Sequence, residues 1–205
     1  MATSLSLEND SSLAQGYLKV NGSTAATLTT SGITGNLVGN VTGSLTQGGS
    51  LTLGTVQTAS GTAVNFTGIP SWAKRITVIF NRLSLNGTSN FLIQIGSGSV
   101  ASSGYLSASS TLQSTGNIIL TSTSGFSVRN AASAPSTSSG IITIVLSHGT
   151  TYVSSHSLGD LSESSIISGG GASPSLSGTL DRIRITTVNG TDTFDDGTIN
   201  ISYEG

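Results

Sequence analysis

Residues 72–87 read "WAKRITVIFNRLSLNG", and this stretch decides the fold class. Ile76, Val78 and Phe80 are predicted to lie on one side of the chain, with Thr77 and Ile79 on the other, so the side chains of the first set recur with a period of two. That period is the side-chain period of a β-strand, since successive side chains point to opposite faces. Asn86-Gly87 follows as a strong turn signal. The stretch therefore predicts one long strand that ends at a turn.

Similar short alternations continue on both sides of this strand. Two strands that pair with each other are predicted at about 51–58 and 62–67, separated by Ser60-Gly61. "FLIQIGSG" after Asn86-Gly87 is predicted to pair with the long strand as a hairpin. "LGDLSESS" at 158–165 is the one candidate for a helix. Further strands are expected at 104–108, 117–122, 125–130, 141–147, 150–157, 165–168, 180–188 and 197–203. Many short strands joined by glycine-rich turns predict an all-β, jelly-roll-like β-sandwich.

The composition excludes several classes of protein. Only 8% of the 205 residues are charged, against about 25% in a typical soluble domain, while 39 residues are serine and 29 are threonine. Seven Lys and Arg against nine Asp and Glu make no basic stripe, which argues against nucleic-acid binding. The chain has no cysteine for a disulfide or a zinc–thiolate site. No stretch approaches the roughly 20 apolar residues of a membrane span, so no membrane insertion is expected.

The first residues, "MATSLSLENDSSLAQ", have neither the basic region nor the apolar region of a secretory signal. This predicts a protein made in the cytoplasm and not exported by a standard route. A surface rich in hydroxyl groups and glycine is nevertheless usual in extracellular structural proteins. Release by cell lysis, as part of a virus particle, resolves the conflict.

A second pattern precedes the predicted strands. In "ITGNLVGNVTGSLTQGG" (33–49) an aliphatic residue occupies every fourth position, namely Ile33, Leu37, Val41 and Leu45. A helix would lose roughly 1 kcal/mol for the glycine in each turn, so an extended chain is favoured. Three copies around one axis would bury these side chains, with roughly 1.5–3 kcal/mol for each. The pattern predicts the neck of an intertwined homotrimer; a flexible linker is the alternative.

The chain is accordingly divided into two predicted parts. Residues 1–54 are expected to form a virion-attachment segment and the trimerisation neck. Residues 55–205 are expected to form the β-sandwich head, because only this part is long enough for a core of its own.

Four stretches resemble known proteins: "YLKVNGSTAATLTTSG", "TGNLVGNVTGSLT", "FTGIPSWAKRITVIFNRLSLNGTSNFLIQIG" and "FDDGTINISYEG". They look like tail-fibre and related receptor-binding proteins of tailed bacteriophages, including phages of cyanobacteria. The resemblance covers most of residues 16–96 and 180–205. It implies a trimeric fibre in the phage tail, attached to other tail or baseplate proteins, whose distal β-sandwich head contacts polysaccharide or lipopolysaccharide on the host surface. A purely structural capsid or baseplate protein remains an alternative.

Contacts to a glycan are expected on distal loops, of which 97–104, 131–140 and 168–179 stand out. Aromatic, amide and cationic side chains beside them suit a sugar, since an aromatic face packs on the C–H side of a pyranose. The candidate ligand-binding residues are Trp72, Tyr105, Arg129, Asn130, Tyr152 and His156.

Two predicted strands hold most of the charge. Lys74, Arg75 and Arg82 lie on or near the first, and "DRIR" at 181–184 opens the second. These charges are predicted to form ion pairs across strands or between subunits. An anion site for an acidic polysaccharide is the alternative.

Catalysis is not predicted, and neither a cofactor nor a bound metal is expected. His148 and His156 are the two histidines, and no GxSxG motif is present. Asp160 with Glu163 offers a carboxylate pair of the kind that a polysaccharide-degrading tailspike uses. Asp192, Asp195 and Asp196 offer another, or a calcium site, but their Asn-Gly and Asp-Gly neighbours indicate turns first.

Deleting residues 1–54 is expected to weaken assembly, because it removes the aliphatic repeat. Light scattering at micromolar concentration measures this as a fall from about three chain masses towards one. Trimers of undiminished stability would place the subunit contact in the head instead.

Overall fold

The computed structural model describes residues 51–205, except 115, 129–135, 161 and 163, and the backbone of four strands between residues 5 and 34. Every strand pairing in this part is antiparallel, and none of its elements is a helix. The described residues thus contain no helix long and apolar enough to cross a membrane. The predicted all-β fold class is confirmed.

Two compact units make up the chain, Met1–Ser44 and Leu45–Gly205. The second unit begins before the predicted boundary at residue 54, because the short strand Thr52–Leu53 pairs with the last strand of the chain.

The first unit contains an antiparallel meander in which each strand pairs with the next. Its strands are β1 (Leu5–Asp10), β2 (Gln15–Val20), β3 (Ser23–Thr29) and β4 (Gly32–Thr34). Val20 lies opposite Ser23 in the register of β2 and β3. The strands that flank Asn21-Gly22, a dipeptide that favours hairpin turns, therefore pair with each other.

The aliphatic repeat begins in this meander. Ile33 belongs to β4, where it lies opposite Leu28 of β3. Leu37, Val41 and Leu45 lie outside the described residues, so the intertwined neck stays a prediction.

The second unit contains a large and a small sheet. The large sheet comprises β5 (Thr52–Leu53), β6 (Gln57–Thr58), β8 (Arg75–Leu85), β11 (Leu106–Gln113), β12 (Gly116–Ser122), β14 (Ser138–His148), β15 (Thr151–Asp160), β16 (Ser165–Ala172) and β18 (Phe194–Glu204). The small sheet comprises β7 (Ala63–Thr67), β9 (Phe91–Ser97), β10 (Ser99–Val100), β13 (Phe126–Val128) and β17 (Arg182–Thr187).

The order of strands follows from hairpins between neighbours in sequence and from pairings between strands that are distant in sequence. The large sheet runs β12-β11-β16-β15-β14-β8-β18-β5, with β6 also paired to β18. The small sheet runs β10-β9-β17-β7, with β13 paired to β9. The architecture is that of a β-sandwich, while jelly-roll connectivity stays a prediction.

Strand β8 confirms the alternation read from the sequence. Ile76, Val78 and Phe80 are at most 2% exposed and face the small sheet. The alternation is interrupted once, at Arg82, which has a positive φ of 55° and forms a bulge opposite Gly197. A Cβ at Gly197 would collide with the carbonyl oxygen of Arg82, so the bulge requires glycine there.

Two predicted pairings are wrong. Strand β9 ("FLIQIGS") does not pair with β8 but with β17, β10 and β13 of the other sheet. Likewise the segments at 51–58 and 62–67 do not pair with each other: β5 and β6 pair with β18, whereas β7 pairs with β17. In both cases the connection crosses from one sheet to the other.

The candidate helix at 158–165 is not helical where the structure describes it. Leu158 and Asp160 are strand residues of β15, and both side chains point inwards. Their alternation with exposed Ser157 and Gly159 has the period of a strand.

Phe91 links the two sheets at the centre of the core. Its ring lies edge-to-face on Phe80 of the large sheet, with centroids 6.1 Å apart, and stacks on Phe194, also at 6.1 Å. All three rings are at most 3% exposed. Aromatic pairs of this geometry add about 0.5–1.5 kcal/mol to the burial of their area.

Phe91→Ala is therefore expected to lower the free energy of unfolding by about 3–5 kcal/mol, because a buried ring is lost and a cavity is left. Urea unfolding measures this. Val188→Ala is the control, since Val188 is 54% exposed and should lose less than about 1 kcal/mol. A loss at Phe91 no larger than that of the control would contradict this account of the core.

Candidate ligand-binding face

The outer side of the small sheet carries two arginines because buried and partly exposed side chains alternate over the first four residues of β17. Ile183 and Ile185 are fully buried against the large sheet, so Arg182 and Arg184 point to the opposite side. Arg182 and Arg184 are partly exposed. The motif "RIRI" thus becomes a cationic ridge along the middle strand of the small sheet.

Residues of β7 lie beside both arginines. Thr67 pairs with Arg182 and Asn65 pairs with Arg184, and paired residues in antiparallel strands share a face. We call these four residues the arginine face. Together with Ala63 and Val100 they line a depression of about 370 Å³. That volume lies within the range of about 300–1,000 Å³ that is usual for small-molecule sites.

Arg182 is held in place by an ion pair with its neighbour. Its Nε donates to Asp181 Oδ1 at 2.7 Å, and its Nη2 donates to Asp181 Oδ2 at 3.2 Å. The same carboxylate accepts from the backbone N–H of Gly98. The Arg182 guanidinium, and then the Gly98 N–H, lower the pKa of Asp181 below its usual value. Arg182 is therefore a positioned cation whose charge is already compensated.

Arg184 differs in this respect. In the part of the chain that the structure describes, no carboxylate forms an ion pair with it. Its cross-strand neighbours Asn65 and Gln94 are neutral. Gln94 is only 6% exposed and donates from Nε2 to the carbonyl oxygen of Ser124 at 2.9 Å, which fixes that border of the face. The arrangement can bind an anion through Arg184 with amide and hydroxyl groups beside it.

A second depression of about 270 Å³ lies on the other side of β7 and shares Asn65 and Thr67 with the first. Tyr203 forms part of its wall, and the Tyr203 ring packs edge-to-face on Trp72 at 5.6 Å. Since both depressions border the same polar side chains, they offer a path for an extended ligand across β7.

The predicted ligand-binding residues do not come together at a surface. Trp72 is partly exposed and lies beside the second depression through its contact with Tyr203. Arg129 and Asn130 lie outside the described residues. Tyr105, Tyr152 and His156 are 0%, 2% and 7% exposed. The structure therefore places these last three in the interior.

Hydrogen bonds explain why two of these polar side chains are tolerated inside. Tyr105 Oη accepts from the N–H of Ile95 at 2.9 Å and donates to a backbone carbonyl, that of Ala101 at 3.1 Å or of Ile95 at 3.3 Å. Burial raises the pKa of Tyr105 to about 12. His156 Nε2 lies 3.0 Å from Ser109 Oγ.

The predicted loop 168–179 begins later than expected, because β16 continues to Ala172. Gly169 is required in this strand: a Cβ there would lie 2.8 Å from His156 Cε1. Gly169 falls in a predicted loop, whereas in the structure it is a strand glycine beside the His156 ring.

The predicted catalytic candidates have structural contacts. Asp160 is 1% exposed, accepts from Ser136 Oγ, and accepts from the N–H of Ser162 at 3.0 Å. Glu163 lies outside the described residues. His148 is exposed at the end of β14.

The acidic cluster near the end of the chain stabilises turns. Asp192 accepts from the N–H of Ser89 at 2.9 Å and from Asn189 Nδ2 at 2.7 Å. Asp196 Oδ1 accepts from the N–H of Gly197 at 2.7 Å. Within the described ranges, no group of three acidic or histidine side chains is placed to hold a metal ion.

Charge alone identified Arg182 and Arg184 in the sequence, but not their neighbours. Asn65, Thr67 and Val100 were not predicted, because pairing of β7 with β17 joins residues more than a hundred positions apart. No family model, curated protein or solved structure matches the chain.

Acid is expected to destabilise the fold through His156. Burial lowers the pKa of His156 from 6.5 to about 4, so the unfolded chain binds the proton more readily than the folded one. The stability that depends on a neutral His156 is fully present above about pH 6.5 and is lost as the pH falls towards 4. Between pH 7 and 4.5 this group alone should cost about 2–3 kcal/mol in the free energy of unfolding.

Urea unfolding of His156→Gln at both pH values tests this, and the variant should lose less stability on acidification than the natural chain. His148→Gln is the matched control, since His148 is exposed, and it should keep the full pH dependence. Equal pH dependence in all three proteins would exclude His156 as the cause.

Proposed function

We propose that the protein is a virion structural protein of a bacteriophage, a homotrimeric short tail fibre or spike that attaches the particle to its host. The arginine face binds an acidic polysaccharide or lipopolysaccharide of the host surface. The protein binds this ligand without cleaving it. It is made in the host cytoplasm, and in the virion it docks onto other tail or baseplate proteins.

The observation that carries the proposal is the charge of Arg184, which has no ion-pair partner among the described residues, in a depression that Asn65 and Thr67 also line. A guanidinium can donate two parallel hydrogen bonds to a carboxylate or phosphate, which are the anionic groups of such polysaccharides. Asn65 and Thr67 beside it can bond sugar hydroxyls. Their strand also borders the second depression, which supports a ligand longer than one sugar.

Trimeric assembly supports useful adhesion from weak sites. A shallow site with one or two charged contacts binds weakly by itself. Three such sites at fixed spacing convert the second and third contacts into intramolecular events, which raises the overall affinity by orders of magnitude.

Arg184→Gln is expected to weaken binding to alginate, an acidic polysaccharide used as the probe, by about tenfold, since roughly 1.4 kcal/mol is lost with one charge-assisted contact. Biolayer interferometry on immobilised alginate measures the change, with neutral dextran as the reference. Arg82→Gln is the matched control: Arg82 is also exposed but lies outside the depression, so its loss should leave binding unchanged.

The same preparation distinguishes the alternatives. Absence of binding to alginate and to host-envelope polysaccharide, in a protein that still assembles, would favour a structural capsid or baseplate protein. Release of reducing sugar from envelope polysaccharide would favour a tailspike enzyme. Equal weakening by Arg184→Gln and Arg82→Gln would exclude the arginine face as the site.

A further inference from the structure

The outer side of the large sheet is unusual in its lack of charge. On β11, β12, β14, β15 and β16, the side chains that point away from the small sheet include no Lys, Arg, Asp or Glu. We call the outward side chains of these five strands the uncharged face. Asp160 and His156, the ionisable groups within β15, both point inwards.

Large aliphatic side chains are exposed on this face instead. They are 42–74% exposed and comprise Leu106, Leu112, Ile119, Ile141, Val153 and Ile166. Strand pairing brings them into two groups on the same face: Leu112 lies opposite Ile166, and Val153 lies opposite Ala172, which in turn lies opposite Leu106. The six side chains together expose on the order of 600 Å², an amount comparable with the largest apolar patches found on monomers.

Small residues between the aliphatic ones leave a trough. Ala108 lies opposite Thr121 on one side and opposite Gly170 on the other, and Gly170 lies opposite Ser155. The floor of this trough contributes to a depression of about 580 Å³ bordered by Leu106. An aliphatic side chain from a partner can enter it, as side chains interdigitate between the packed faces of two sheets.

The edge of the sheet beside this face is also unprotected. Strand β12 is the last strand at that end, and its sequence "GNIILTS" has neither a charge nor a proline. Natural proteins usually guard an edge with such residues or keep the edge strand very short. The opposite edge of the same sheet follows the rule, since β5 and β6 have two residues each.

We infer that the uncharged face is the contact between copies of this chain in the second unit, with the uncharged faces of the three copies turned towards a common axis. Other copies of the chain are the occupant that the charge pattern favours, because contact between these faces brings no like charges together. The exposed area of the six aliphatic side chains, on the order of 600 Å², is a large part of the roughly 800 Å² that each partner contributes to a standard interface. The inference rests on the proposed assembly but not on the proposed ligand.

A pair of double variants of the full chain tests the inference. Leu106→Glu with Val153→Glu places two carboxylates on the face, and Val56→Glu with Val188→Glu is the matched control at residues 56% and 54% exposed elsewhere. Light scattering from 1 to about 50 µM should show a multimer for the natural chain and the control. The face variant should dissociate at concentrations at least a hundredfold higher than the control does.

Equal association of the two variants, or a natural chain that stays monomeric throughout the range, would overturn the inference. Neither result changes the expected binding of alginate by Arg184, so the contact between copies can be refuted without refuting the ligand site. Circular dichroism checks that both variants are folded.

Cysteine cross-linking tests the same contact without disturbing the apolar patch. The natural chain has no cysteine, so Ser155→Cys gives a single thiol at the trough and Thr67→Cys gives one on the arginine face. A short bismaleimide should link Ser155→Cys into covalent dimers and leave Thr67→Cys as single chains. Linking of Thr67→Cys alone, or of neither, would overturn the inference.

Discussion

Burial of one apolar face of each sheet against the other is the constraint on which the second unit depends. Phe91 lies at its centre, in ring contact with Phe80 and Phe194 of the opposing sheet. The chain has no cysteine, so no disulfide can replace this contact, and the ion pairs among the described residues are few. Because strands have a period of two, alternating strands such as β15 leave the neighbours of their core residues on an outer surface.

The two outer surfaces that result have different chemistry. The small sheet presents Arg182 and Arg184 among amides and hydroxyls, and this surface suits a hydrated, charged ligand. The outer surface of the large sheet, from β12 to β14, presents aliphatic and small side chains without charge, and suits a dry contact. The cations Arg182 and Arg184 lie on the small sheet, and Arg75 and Arg82 lie on β8 of the large sheet, outside the five strands of the uncharged face.

Inside the sandwich a layer of polar side chains distinguishes one half of the large sheet. Ser109 and His156 are bonded to each other, whereas buried atoms such as His156 Nδ1 and Ser154 Oγ have no partner among the described residues. Such groups raise the cost of burial and make this half the part of the core most sensitive to acid. The half of the core around Phe91 has no group comparable to His156, so acid is expected to destabilise it less.

Local periodicity predicted the strands well and their partners poorly. The alternation in "RITVIF" and "RIRI" sets which side chains are buried whatever the partner strand is, so the core faces of β8 and β17 could be read directly. Pairing depends on contacts distant in sequence, so β9 was assigned to β8 rather than to β17. For the same reason the sequence pointed to Arg184 but not to Asn65 beside it, and suggested Tyr105 as a ligand contact although it lies in the core.

The separation of the two outer surfaces is tested most directly by an experimental structure of the full chain in its assembled state. The account predicts that Leu106 and Val153 are buried between copies while Arg184 and Asn65 face open solvent. An assembly in which copies meet through Arg184, with the outer surface of β11 and β15 left bare, would contradict it.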